Sequence, residues 1–317
     1  MLKVGVVGIG HMGRYHVNIL SIISKAELSA VCDSDAEAVK KISEAYDIKG
    51  YTDYDEFLDQ VDAVIVAVPT FLHFKFASRA LEKGKHVLVE KPITETISDA
   101  EKLIEMAEKY DLFLQVGHVE RFNAAVQELE HIVKNPYLIQ AQRLGPRSRI
   151  VDVGVVLDLM IHDVDIILAI AGAPVKEISA YGKKIYSNHE DIANVSLLFE
   201  NGVIANIAAS RVTDNKLRTL SISQEGSFVL LDYATQDITI FRQPHTEYLV
   251  MREEIKYTQE SIVERVFIHK DNALKLELEH FIECVSEGRE PDYRSEADIS
   301  ALKLATEITK RIYEKGI

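Results

Sequence analysis

Cysteine, positive charge and long apolar runs are all scarce in this sequence. Only two cysteines occur in 317 residues, Cys32 and Cys284. They lie far apart, each inside an apolar-patterned segment, which is the usage of small core residues in a reducing compartment rather than of a disulfide framework. Neither has a Cys or His partner at metal-ligand spacing, and no H-E-x-x-H occurs, so no metal is expected. Lys and Arg number 36 against 50 Asp and Glu, a net charge of -14. That balance argues against a general binder of nucleic acid or anionic membrane, because phosphate backbones and acidic headgroups select clustered cations. It leaves room for a small anion held by a local basic patch. No stretch approaches the roughly 20 apolar residues that span a bilayer, and Met1 leads straight into a strand-like segment instead of a signal peptide. The expected location is cytoplasmic. Repeats of fixed period, low-complexity tracts and Pro/Ser-rich linkers are also missing, which predicts domains joined compactly.

What is present is 47% hydrophobic residues, enough for more than one core at this length, so two domains are expected. Residues 1–119 alternate short apolar runs with segments of helical period, the pattern of repeated strand-helix-strand units. The strands read are Val4–Val7, Leu28–Cys32, Ala63–Val68, His86–Glu90 and Phe113–Val116. The helices between them are Met12–Ile23, Ala36–Tyr46, His73–Glu82 and Ser98–Tyr110, the last opened by a capping-box spacing of Ser98 and Glu101. Right-handed crossovers make this a doubly wound parallel sheet of Rossmann type.

Residues 120–317 read differently, as an α+β domain with a mostly antiparallel open sheet. Asn123–Val133 and Asp158–Ala171 have helical period. From Val175 onward runs of period two follow, with Val195, Leu197 and Phe199 on one face. Asn201-Gly202 predicts a hairpin, since both residues tolerate the positive φ that a tight turn needs, and Glu225-Gly226 a second turn. About six strands are expected, closed by helices Asn272–Ser286 and Glu296–Glu314, the last of which can pack back on the first domain. An open sheet with apolar residues on both faces needs cover, so a homodimer or homotetramer through this sheet is expected.

Gly8, Gly10 and Gly13 form a G-x-G-x-x-G between the first strand and the first helix. A tight turn, close approach to a pyrophosphate and helix-sheet packing each require a missing side chain there. Asp33 lies 20 residues beyond Gly13 at the end of the second strand, where a carboxylate accepts from ribose hydroxyls. Asp33 and Asp35 would face the extra phosphate of NADP with no Arg or Lys before Val39, so NAD is the expected cofactor. The cofactor-facing set comprises Gly8, Gly10, His11, Met12, Gly13, Asp33, Pro69, Thr70, His73, Glu90 and Lys91. Glu90-Lys91-Pro92 ends a strand at the carboxyl edge of the sheet; Lys91 there is either a donor to a substrate oxygen or a solvated strand-end lysine. Asp158 and His162, four apart on a helix, are either a catalytic pair or an ordinary polar pair.

With the glycine loop, the Glu90-Lys91-Pro92 turn and the run Asp158-Leu159-Met160-Ile161-His162 followed by Asp165, nearly the whole chain resembles the Gfo/Idh/MocA oxidoreductase family. That family acts on sugars, inositols and related polyols. The resemblance implies a catalytic group of Lys91, Asp158 and His162, with either Lys91 or His162 as the base, and a cis Lys91-Pro92 bond. A His suits proton abstraction near neutral pH and a cationic Lys stabilises charge on the same oxygen.

The segments Gly117-His118-Val119-Glu120-Arg121-Phe122-Asn123 and Asp152-Val153-Gly154-Val155-Val156-Leu157-Asp158 are similar to the branch that oxidises the 3-hydroxyl of UDP-N-acetylglucosamine. That branch often carries Pro after the Asn, where this chain has Ala124. Arg143, Arg147 and Arg149 place three guanidiniums in seven residues; they read either as a loop holding a nucleotide-sugar diphosphate or as a solvated or intersubunit patch. The substrate-facing set is Arg121, Asn123, Arg147, Arg149, Asp158 and His162. Beside the nucleotide-sugar reading stand a dehydrogenase of a free polyol or inositol and, in another class, a non-catalytic NAD-dependent sugar sensor.

Overall fold

The computed structural model describes residues 1–147, 153–242, 262–289, 291–292 and 295–316. It divides the chain into two units: residues 1–122 with 271–306, and residues 123–270 with 307–317.

The first unit alternates β1 (Leu2–Val7), α1 (His11–Leu20), β2 (Ala26–Cys32), α2 (Ala36–Tyr46), β3 (Lys49–Tyr51), α3 (Tyr54–Leu58), β4 (Ala63–Val66), α4 (His73–Glu82), β5 (His86–Glu90), α5 (Ile97–Tyr110) and β6 (Leu114–Gly117). The six strands are parallel in the order β3-β2-β1-β4-β5-β6. Val64, Ile65, Val66, Val87, Leu88 and Val89 are fully buried, as expected of strands covered on both faces. Strand order reverses between β1 and β4, and ligands of such sheets bind outside the carboxyl ends at that switch point.

The expected strands and helices of this unit are all present, and β3 and α3 are additional. Both are short, three and five residues, below the length at which periodicity registers. The expected capping box at Ser98 is corrected. Thr96 caps α5, its hydroxyl accepting from the Asp99 amide at 3.1 Å, because Thr96 holds the extended backbone a cap requires and Ser98 already lies in the first turn.

The second unit contains α6 (Ala124–Ile132), β7 (Pro136–Leu144), a π-helical turn (Val156–Met160), α7 (Ile161–Ala171), β8 (Val175–Lys183), β9 (Ile192–Phe199), β10 (Ile204–Ser210), β11 (Leu217–Gln224), β12 (Ser227–Asp232), β13 (Asp237–Arg242) and β14 (Ile262–Arg265). The sheet holds eight strands among the described residues rather than six, in the order β14-β13-β12-β11-β7-β10-β9-β8. All pairs are antiparallel except β7 with β10. The central strand β7 is the one the sequence reading omitted; its alternating burial carries Ile139 and Ala141 but also Arg143 on the inner face, which broke the apolar pattern. Val195, Leu197 and Phe199 are each 1% exposed, on one face as expected.

The hairpin at Asn201-Gly202 forms, with a three-residue loop. The Phe199 amide donates to Val203 O at 2.9 Å and the Gly202 amide to Phe199 O at 3.0 Å. Only Gly202 takes positive φ, +87°. Asn201 instead donates from Nδ2 to Ala171 O and accepts at Oδ1 from the Val203 amide.

Two further helices follow, α8 (Ala273–Glu287) and α9 (Ser295–Glu314). Set beside the expected domains 1–119 and 120–317, whose last helix can pack back on the first, this division groups α8 and the first part of α9 with the first unit. The reason is apolar: Leu278, Phe281 and Ile282 of α8 join one buried cluster with Val4, Val17, Leu20 and Ile23. Both cysteines are buried free thiols. Among the described residues no helix is long and apolar enough to cross a membrane, and no group of three potential metal ligands occurs.

Candidate active site

The carboxyl ends of β1, β2, β4 and β5 carry the expected cofactor residues. Gly8 turns at φ +84°, and a Cβ there would lie 2.6 Å from Ala67 O. A Cβ on Gly13 would meet Gly8 O at 1.8 Å, so the helix packs directly on the turn. Gly10 is different, with open space where its Cβ would be. It is also the N-cap of α1, and no side chain caps that helix. Free amides at a helix start and a cleared approach suit a pyrophosphate, so these residues fit a dinucleotide. His11 and Met12 open the helix and are exposed.

Asp33 follows β2. Its Oδ2 accepts from the Ile9 amide at 2.8 Å and its Oδ1 from the Asp35 amide at 3.0 Å. The carboxylate thus fixes the glycine loop and keeps lone pairs for ribose hydroxyls. Pro69 and Thr70 begin a 3₁₀ turn after β4.

Two members of the expected cofactor set act differently. His73 is 1% exposed; its Nδ1 lies 2.8 Å from Pro92 O and its Nε2 2.9 Å from Val68 O. The ring joins the Pro92 turn to the segment after β4 and has no free edge for a cofactor. Burial holds its pKa below the ordinary value. Glu90 is also turned inward. Its Oε1 accepts from His16 Nε2 at 2.7 Å, and its Oε2 accepts from the Lys91 amide at 3.3 Å. Burial opposes ionisation of Glu90, but the His16 bond and neighbouring cations hold its pKa below the usual value. His16, on α1, gave no signal in the sequence. Lys91 is half-buried, and its bond to Pro92 is cis.

In the second unit, Asp158 is buried and His162 half-buried. They do not sit on one regular α-helix. Asp158 lies in the π-helical turn, where the Ile161 amide donates to Val156 O, five residues back. Such turns insert a residue into a helix and often mark functional positions.

Several residues of the expected substrate-facing set have internal partners. Arg121 is 6% exposed and pairs with Asp298 at 2.8 Å, so its charge is matched inside the first unit. Asn123 caps α6 with Oδ1 and donates from Nδ2 to Tyr233 O at 3.0 Å. Ala124 is the first residue of that helix, a position where Pro and Ala are interchangeable in geometry. Arg143 lies within β7, not in a loop, and forms a two-pronged buried pair with Asp163 at 2.8 and 3.1 Å. Of the three clustered guanidiniums only Arg147 is seen exposed, lying over the Tyr186 ring at 5.2 Å. Arg149 lies outside the described residues.

Residues 2–118 match the family described as an oxidoreductase family with an NAD-binding Rossmann fold, and residues 126–229 match the GFO/IDH/MocA C-terminal domain. The chain is 34% identical over 244 residues to UDP-N-acetylglucosamine 3-dehydrogenase of Acidithiobacillus ferrooxidans, covering 76% of this chain and 77% of the relative. A solved structure of that enzyme superposes with a TM-score of 0.88 at 30% identity, covering 99% and 98% of the two chains. The chain is also similar to scyllo-inositol 2-dehydrogenase (NAD(+)) of Bacillus subtilis, 26% identical over 92% of this chain and 88% of that one. Myo-inositol 2-dehydrogenase of Thermotoga maritima is 29% identical over 66% and 69%.

Proposed function

This chain belongs to the Gfo/Idh/MocA family of NAD-binding oxidoreductases, and from that premise we propose that it oxidises the 3-hydroxyl of UDP-N-acetylglucosamine or a related nucleotide sugar to a ketone. The observation that carries the substrate is the likeness to UDP-N-acetylglucosamine 3-dehydrogenase over almost the full length of both chains. Exposed Arg147 supports it, since a guanidinium fork suits diphosphate oxygens. The inositol reading keeps a specific support of its own: two inositol dehydrogenases are also similar, and Arg121 and Arg143 are matched internally instead of facing a phosphate.

Bound NAD supplies the hydride acceptor. The carbinol carbon gives up hydride, its hydroxyl gives up a proton, and a carbonyl forms. We assign the proton to His162, whose imidazole suits transfer near neutral pH, with Asp158 orienting the ring and the Lys91 ammonium stabilising the oxygen as charge develops. The cofactor contacts fall to Gly8, Gly10, His11, Met12, Gly13, Asp33, Pro69 and Thr70. Two reduced buried cysteines fit the cytoplasm, and the C-terminal sheet offers a face for a second copy.

The test is NADH formation with UDP-N-acetylglucosamine, myo-inositol and scyllo-inositol. The nucleotide sugar should give the highest kcat/KM, by about tenfold or more, the effect of one well-placed charged contact; an inositol preference would overturn the substrate. His162→Ala should lower turnover about 10²- to 10⁴-fold while NAD affinity stays unchanged. If that variant keeps wild-type turnover, Lys91 becomes the base.

A further inference from the structure

Gly154, two residues before the π-helical turn, cannot accept a side chain. A Cβ there would lie 1.9 Å from Oε1 of Glu190 and 2.2 Å from its Oε2. The carboxylate of Glu190 therefore lies flat against the backbone at Gly154, and it is 1% exposed. Its Oε1 accepts from the Val156 amide at 3.2 Å, and its own carbonyl accepts from the Val155 amide at 2.9 Å. Its Oε2 accepts from the Tyr313 hydroxyl at 3.2 Å. Burial, and then the Glu190 charge, push the Tyr313 phenol up to about 12, so it remains a donor at neutral pH. The Gly154 carbonyl in turn accepts from the Asp158 amide at 3.0 Å.

A second clamp holds the residue before Gly154. Arg211 donates to Val153 O at 3.0 Å, to Asp191 Oδ1 at 2.7 Å and to Ser187 Oγ at 2.8 Å. Burial opposes ionisation of Asp191, but the amides of Ile185, Tyr186 and Ser187 and the Arg211 guanidinium hold its carboxyl well below the usual range. Glu190 and Asp191 are thus neighbours with separate tasks: one fixes the entry of the π turn, the other fixes the arginine that steadies it.

We infer that Glu190 is a positioning residue, which sets the π-helical turn so that Asp158 and His162 are presented in their working orientation. The inference rests on the reading of Asp158 and His162 as catalytic. The physical reason is that the first amides of a helical segment have no partner in its own ladder, and a buried carboxylate on the Val156 amide at the entry of the turn fixes one geometry out of several. Gly154 is the complement of Glu190, and neither serves without the other.

The test uses the full chain and two readouts. Hydrogen exchange of the 153–162 segment needs no substrate; Glu190→Ala should speed it while the β1–α1 segment stays unchanged. Steady-state NADH formation from UDP-N-acetylglucosamine, or from myo-inositol if that is the sugar turned over, should show kcat lowered about ten- to hundredfold and a displacement of the pH limb, the rise of kcat with pH that a His162 base would give. NAD affinity by fluorescence titration should hold. Glu190→Gln keeps an acceptor for the Val156 amide and should restore kcat to within a few fold, whereas Glu190→Met, of similar size but without that acceptor, should not, a difference that loss of bulk packing would not give. Tyr313→Phe, a milder change that keeps the buried carboxylate, should lower kcat a few fold, so the idea remains testable if Glu190→Ala does not fold. The inference is overturned if Glu190→Ala or Tyr313→Phe leaves exchange, kcat and the pH limb unchanged while His162→Ala abolishes turnover. If His162→Ala is fully active, the catalytic reading fails instead, and accelerated exchange in Glu190→Ala then marks a purely structural clamp.

Discussion

The Ile9 amide on Oδ2 ties the Asp33 carboxylate to the glycine loop, and a carboxylate held there would repel the 2'-phosphate of NADP. NAD should bind more tightly than NADP. Asp33→Ala should weaken NAD about tenfold or more, from the lost charged hydrogen bonds, and narrow the gap; a wild-type preference for NADP in parallel titrations would sink the assignment. Glu277 makes a different kind of prediction. It is fully buried, and among the described residues neither of its carboxyl oxygens has a hydrogen-bond partner. Burial first, and the Glu90 charge second, raise its pKa well above the ordinary 4.5. A group with a pKa higher in the folded chain favours folding below its unfolded value and loses that contribution as pH rises. Glu277→Gln cannot ionise, so its stability relative to wild type should grow from pH 4.5 to pH 8, by about 1 kcal/mol or more; a difference independent of pH would contradict the shift. At this scale the tight turn at Gly8 and Gly13 and the place of Asp33 at the end of β2 were legible, because a turn of that geometry fixes both residue type and spacing. The internal partners of His73, Glu90, Arg121, Asn123 and Arg143 were not legible, since only the tertiary fold supplies them. Arg143 meets Asp163, and Arg121 meets Asp298.

Among the elements, α2, α4 and β5 end where the sequence placed them, each bounded by a residue that stops its pattern. Asp35 caps α2 with bonds from the Glu37 and Ala38 amides. The element that mattered most to the second unit, β7, was illegible because a buried ion pair on its inner face imitates a surface strand. The π turn was illegible for another reason: a period of 3.6 and a single widened turn differ by one residue, less than the pattern resolves. The placement of α8 was equally hidden, since amphipathicity shows that a helix has a buried face but not which sheet receives it. Its position carries a prediction. Phe281 is 0% exposed and packs within the cluster of Val4, Leu20 and Ile23, so Phe281→Ala should cost about 3–5 kcal/mol. Denaturation monitored in the presence of saturating NAD should show the loss in the cofactor-binding unit; an unchanged midpoint would place α8 elsewhere.

For the whole molecule, the outer face of the eight-stranded sheet is the one from which self-association is predicted. Its inner face is filled by Ile139, Val195, Leu197, Ile207, Leu220, Ile222, Val229 and Leu231, all buried. The opposite row is not a conventional solvent face. Register places Leu138 beside Ile204 and Ser223, with Phe228 beyond, and Gln140 beside Asn206 and Ser221, with Leu230 beyond. Ile204, Leu217, Phe228 and Leu230 are each 37–43% exposed, and the outward positions of β7, β10 and β11 carry no charged side chain. Apolar residues among small neutral polar ones, without charge at the centre, match the middle of a protein-protein interface, and an exposed patch of this kind is uncommon on a monomer. A second copy of the chain is the partner that such a self-complementary flat sheet suits, through a two-fold contact. Light scattering at micromolar concentration should therefore report at least twice the 35.7 kDa chain mass. Ile204→Lys combined with Leu230→Lys puts four like charges into a two-fold contact, which costs several kcal/mol and should give a monomer. Far-ultraviolet circular dichroism should stay unchanged, because both side chains point away from the inner core. A wild-type monomer, or a double variant that still assembles, would show that this face is not the contact.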